Sequence, residues 1–172
     1  NPYIFRFFPS DTAVKAAQAR YLVEQLGRRR IAIVYQNTAY GQSGNEALTQ
    51  WIERLGAAVV HRNSVPVTTK EMAGVIAQVK ESGADAVALQ LHSGSSALFV
   101  GQAARAGFDL PIVGGSALHQ PSTAALLQPS ELKGVCAETA SAPAADERPA
   151  LAAFARRYRA RFKAEPDAFA LA

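Results

Sequence analysis

Tyr40, His92, Ser93 and Ser116, with Asp11 nearer the start, are the side chains whose types could do chemistry together. Asp11 and the serines offer hydrogen bonds. Tyr40 adds a ring with a hydroxyl, and His92 a ring whose charge changes near neutral pH. Such a set suits recognition of a small polar molecule better than catalysis, because no nucleophile is spaced with a base. Serines do stand near strand ends in Gly94-Ser95-Ser96 and Gly115-Ser116-Ala117, with His92 and His119 close by in sequence. Neither stretch forms a Gly-x-Ser-x-Gly elbow, so a serine-dependent α/β hydrolase is kept only as an alternative. His61, His92 and His119 have no metal-ligand spacing, and no metal or cofactor is expected. Neither a Gly-x-Gly-x-x-Gly turn nor a phosphate loop is present. Strand ends carry Gln36, His92 and Ser116, where a phosphate-accepting receiver domain would need clustered aspartates.

These residues need elements to hold them. Ile31 to Tyr35 is an unbroken apolar run rich in β-branched residues, the pattern of a strand covered on both faces. Tyr40 and Gly41 follow in a short loop, and a helix is expected from Gly44 to Leu55. A first helix starts at Ser10 or Asp11 and presents Val14, Ala17, Tyr21 and Leu22. Further strands are read at 57–61, 85–91, 111–113 and 135–137. Between them lie a helix with Met72, Val75, Ile76 and Val79, a helix with Leu98, Phe99, Ala103 and Ala104, and a short helix at 123–127. Thr68 and Glu71 have capping-box spacing for the third helix. Strands alternating with helices imply right-handed crossovers and a central parallel sheet, a flavodoxin-like or Rossmann-like three-layer α/β sandwich. Ligands of such sheets bind beyond the carboxyl ends of the strands, where Tyr40, His92 and Ser116 stand.

The 172 residues, 49% hydrophobic and 19% charged, hold one sizeable domain with an extra piece attached. The net charge is +4. The basic residues are scattered apart from Arg28-Arg29-Arg30 and the stretch from Arg156 to Arg161, so no nucleic-acid partner is expected. The arginines at 28–30 sit where a helix ends, and cations favour that end of the helix dipole. Cys136, the single cysteine, lies in an apolar strand-like run and reads as a core residue. After the Ala- and Pro-rich 141–149 comes a helix from Pro149 to Phe162. Phe154, Tyr158 and Phe162 make an apolar stripe on it that must bury against something.

Several motifs together resemble the type I periplasmic binding proteins, in particular solute-binding proteins of branched-chain (leucine/isoleucine/valine) amino-acid ABC transporters. They are Asn1-Pro2-Tyr3-Ile4-Phe5-Arg6 followed by Pro9-Ser10-Asp11, Ile31-Ala32-Ile33-Val34-Tyr35 followed by Ala39-Tyr40-Gly41-Gln42, Gly83-Ala84-Asp85-Ala86-Val87, and Gln102-Ala103-Ala104-Arg105-Ala106-Gly107. Phe154-Ala155-Arg156-Arg157-Tyr158 and Glu165-Pro166-Asp167-Ala168 complete the match. The resemblance implies one lobe of a two-lobed, non-enzymatic protein. Residues 1–140 would be the second-lobe ligand-binding domain, 141–149 the crossover linker, and 150–172 a helix belonging to the first lobe.

It further implies a periplasmic location, a membrane permease as partner, and a small ligand bound by Asp11, Tyr40, His92 and Ser116, to which the strand-end reading adds Ser93. The helix would meet the missing first lobe or a second copy of the chain. A ligand-sensing regulatory domain of the same fold is the alternative. Amino-acid-binding members place an acidic residue where Ser116 stands, and a serine cannot neutralise an ammonium group. A carboxylate or aromatic acid is therefore expected alongside an amino acid as ligand.

Overall fold

Ile31, Ala32, Ile33 and Val34 are all fully buried, so the strand that carries them needs cover on both faces. The structure, a computed structural model, describes residues 8–171, with the backbone alone of Asp11. The segment Asn1–Arg6 therefore lies outside the described residues. The strands are β1 (Arg30–Gln36), β2 (Ala58–Val65), β3 (Ala86–Gln90), β4 (Ile112–Gly114) and β5 (Val135–Ala137). They form a parallel sheet in the order β2-β1-β3-β4-β5.

Alternation along β1 feeds two cores. Ile31 and Ile33 pack with Ala19, Leu22, Leu48 and Ile52, which come from α1 (Asp11–Arg20), the π-helical turn that continues it (Tyr21–Gln25) and α2 (Ala39–Arg54). Ala32 and Val34 pack on the other face with Ile76, Val79, Phe99 and Val100 of α3 (Ala73–Glu81) and α4 (Ser93–Arg105). Each Ile or Leu buried in this way contributes about 1.5–3 kcal/mol. The result is the expected three-layer α/β sandwich. After β4 come a short α5 (Pro121–Ala124) and a 3-10 turn (Pro129–Leu132). After β5 come α6 (Pro149–Phe162) and α7 (Ala168–Leu171).

Several local expectations change. Tyr40 and Gly41 lie in the first turn of α2, not in a loop. Thr38 is the N-cap, its hydroxyl accepting the Gly41 N–H at 3.4 Å. The turn can start this early because Gly41 lies against β1: a Cβ there would stand 1.9 Å from the Gln36 carbonyl oxygen. Ser93 to Ser96 form the first turn of α4. The third helix starts at Ala73, and Thr68 does not cap it. Glu71 accepts the N–H groups of Met72 and Ala73 at 3.0 and 2.9 Å.

Cys136 is exposed, correcting its reading as a core residue. It sits mid-way along the edge strand β5, where its thiol meets the Tyr21 hydroxyl at 3.5 Å. The arginines serve helix ends other than their own: Arg29 donates to the Leu55 carbonyl at the end of α2, and Arg30 to the Gly83 carbonyl beyond α3. Ala17 on α1 and Tyr21 in the π-helical turn face outward, while Lys15 and Gln18 turn in.

Candidate ligand-binding site

The sheet order fixes where a crevice opens. From β1 the chain leaves onto the face covered by α1 and α2; from β3 it leaves onto the face covered by α3 and α4. β1 and β3 are neighbours, so their exits diverge at a topological switch point, the usual position of a ligand crevice in such sheets. Tyr40 stands on one lip and His92, the N-cap residue of α4, on the other. Their rings stack with centroids 5.1 Å apart and an interplanar angle of 26°. His92 also pairs with the Thr38 hydroxyl at 3.3 Å.

Two buried glutamines hold the lips from beneath. Gln36 ends β1 and donates to the Val65 carbonyl at 2.7 Å, while its own side-chain oxygen accepts the His92 backbone N–H at 3.4 Å. Gln90 ends β3 and donates to the Tyr40 carbonyl at 3.4 Å. The loop after β4 closes the third side. Ser93 donates to Gln120 at 2.8 Å and to the Ala117 carbonyl at 3.4 Å, tying α4 to that loop. Gly115 is a close-packed point of the wall. A Cβ there would stand 2.7 Å from Gln90 Oε1, 2.9 Å from the Tyr40 hydroxyl and 3.0 Å from Lys15 Nζ. Ser116 follows it, half-buried, and its backbone N–H donates to Glu138 Oε1 at 2.9 Å. On the outer side of His92 a cavity of about 360 Å³ is lined by Thr69, Lys70, Gly94 and Ser95.

The structure thus brings Tyr40, His92, Ser93 and Ser116 together beyond the carboxyl ends of β1, β3 and β4. Asp11 opens α1, and its side chain lies outside the described residues. Lys15 and Glu138 were not singled out by the sequence reading. Their signals were a charged residue on the apolar side of a helix and an acidic residue immediately after a strand. Ser96, one of the serines considered as a nucleophile, is buried and donates to the Leu91 carbonyl at 3.1 Å.

A parallel α/β layer with aromatic and hydrogen-bonding groups beyond its strand ends at a switch point is the arrangement in which such sheets bind ligands. The chain belongs to the periplasmic binding protein family, whose model matches residues 1–172. It is 30% identical over 142 residues to Leu/Ile/Val-binding protein homolog 8 of Brucella abortus, a match covering 80% of this chain and 35% of that protein. A structure described as a branched-chain amino acid ABC transporter from Rhodospirillum rubrum superposes with a TM-score of 0.86 at 26% identity, over 99% of this chain and 48% of that one. The fold is shared too with a solute-binding protein from R. palustris solved in complex with benzoate, with a TM-score of 0.88 at 20% identity, over 98% of this chain and 46% of that one. The chain spans about a third of the length of the curated relative and about half of each structure.

Proposed function

We propose that the chain is the ligand-binding second lobe of a two-lobed solute-binding protein that feeds an ABC transporter in the periplasm. The Tyr40–His92 stack across the switch-point crevice carries this reading. Residues 1–140 form the lobe, 141–149 cross over, and 150–172 pack on the first lobe. The ligand is a small polar molecule, an amino acid or a carboxylate or aromatic acid. Tyr40 and His92 cover its apolar part, Ser93 and Ser116 hydrogen-bond its polar part, and Asp11 stands beside them. The second lobe then closes by hinge motion, and the permease reads the closed form. Beyond the lobe, α6 supports this division. Its rings Phe154, Tyr158 and Phe162 contact one another in a row at 5.9 and 4.6 Å, and Phe162 remains 56% exposed.

The test is to purify the complete protein, denature it, and identify the released molecule by mass spectrometry. A carboxylate, aromatic acid or amino acid is expected. A released nucleotide or metal ion would overturn the reading.

A further inference from the structure

Behind the wall made by Gly115 and Ser116 lies a charged pair that the binding reading does not use. Lys15 on α1 is 1% exposed and Glu138, one residue past β5, is 8% exposed. Their Nζ and Oε1 atoms are 2.6 Å apart. Lys15 also donates to Gln18 Oε1 at 3.1 Å, and Gln18 donates to the Val113 carbonyl of β4 at 2.8 Å. The pair is therefore pinned to the strand that leads into the crevice wall. Two buried charges are costly to desolvate, and their attraction offsets that cost only in good geometry, so such a pair is weak evidence of a purely stabilising role.

Its position suggests a different one. The Glu138 oxygen that meets Lys15 also accepts the Ser116 backbone N–H, so a carboxylate stands directly behind the wall. Lys15 cancels its charge there. A Cβ on Gly115 would meet both Lys15 Nζ, at 3.0 Å, and the Tyr40 hydroxyl, at 2.9 Å, so the ammonium lies against the same residue of the wall as the Tyr40 ring. In a site of low dielectric, a charge balanced one residue behind the wall decides which ligand charges are tolerated. An ammonium group at Ser116 meets no net negative partner, whereas a carboxylate meets no net repulsion.

Resting on the binding reading above, we infer that Lys15 is a specificity-determining residue: by neutralising Glu138 behind Ser116 it tunes the crevice toward anionic ligands and against those bearing an ammonium group.

The test uses the complete two-lobed protein and calorimetry with three probes: leucine, 4-methylpentanoate (the same skeleton without the ammonium group) and benzoate. Wild type should bind 4-methylpentanoate at least tenfold more tightly than leucine. Lys15→Met, which unmasks the carboxylate, should shift that ratio at least tenfold toward leucine. Glu138→Gln, which leaves the lysine unbalanced, should shift it the other way. It decides the matter alone if Lys15→Met does not fold. The double variant Lys15→Met/Glu138→Gln should return to the wild-type preference. Equal changes for leucine and the two carboxylates in every variant would make the pair merely structural and overturn the inference, with the binding reading left standing. A wild type that prefers leucine would overturn it as well. A wild type that binds none of the three probes would overturn the inference, while the binding reading stands or falls on the molecule released from the complete protein.

Discussion

Tyr40 and His92 stand on helices that leave the sheet on opposite faces, yet their rings stack at 5.1 Å across the gap. The backbone of each is held by a different strand end: Gln90 donates to the Tyr40 carbonyl and Gln36 accepts the His92 N–H. The two lips are thereby coupled before any ligand arrives. Replacing either ring by alanine should weaken ligand binding by about tenfold or more. A double-mutant cycle on stability should return a coupling of about 0.5–1.5 kcal/mol, the usual range for an aromatic pair. A coupling of zero, read by chemical denaturation, would mean that the stack is incidental.

The pair Lys15–Glu138 predicts a second stability result. Glu138→Ala strands a buried ammonium and should cost about 3–5 kcal/mol in urea denaturation. Lys15→Met/Glu138→Met removes both charges and should recover most of that loss. A single variant as stable as wild type would show that water reaches the pair.

Gly41 predicts a steric result. Gly41→Ala places a methyl carbon 1.9 Å from the Gln36 carbonyl oxygen, so the first turn of α2 must move. The expected loss is roughly 2–3 kcal/mol, with Tyr40 displaced and ligand affinity falling in step. Gly94→Ala, where a Cβ meets nothing within 4 Å, is the control and should stay within about 1 kcal/mol of wild type. A Gly41→Ala variant with unchanged melting would place the helix start later in the chain.

Two surface carboxylates give a pH prediction. Arg148 donates side-chain and backbone hydrogen bonds to Asp146 and holds its pKa below the ordinary value; Arg159 does the same for Glu165 through its side chain. Both folded pKa values are depressed, so the stabilisation is present above the unfolded carboxylate range of about 4 and is lost as pH falls through the folded values. Carbon-detected NMR titration should show both midpoints below those of free carboxylates. Arg148→Gln should return Asp146 toward the ordinary value and leave Glu165 unmoved.

The α6 stripe predicts an association. Expressed alone, the 172-residue chain should self-associate with concentration in sedimentation, through Phe154, Tyr158 and Phe162. Phe162→Ser should shift it toward monomer. A monodisperse wild-type monomer would show that the stripe is covered within the chain.

Much of this architecture was legible because it is local. Strand β5 at 135–137 and helix α6 at 149–162 follow their sequence signals, an apolar triplet after Gly134 in one case and a Pro at the first helical position in the other. The helix starts that frame the crevice were read late. Thr38-Ala39-Tyr40-Gly41 looks like a loop until Gly41 is seen pressed against β1. Tyr40, His92, Ser93 and Ser116 could be placed near strand ends because the strand and helix signals are local; that they bind a ligand is the proposal made above. Lys15 and Glu138 could not be paired, because 123 residues separate them and a charged residue on a helix ordinarily faces water. Cys136 was misread because edge position is a property of the whole sheet, which three apolar residues do not reveal.

The strand order leaves β2 and β5 as the rims of the described sheet, and this bears on aggregation. An open parallel rim is a template for pairing with another chain. β5 offers only three residues, about 10 Å of backbone. β2 is longer, eight residues, but its central stretch is His61-Arg62-Asn63-Ser64, polar and charged, with His61 and Asn63 hydrogen-bonded to each other. One rim is too short to nucleate a cross-β stack and the other too hydrophilic, so concentrated solutions of the lobe should resist fibril growth even where the α6 stripe draws copies together.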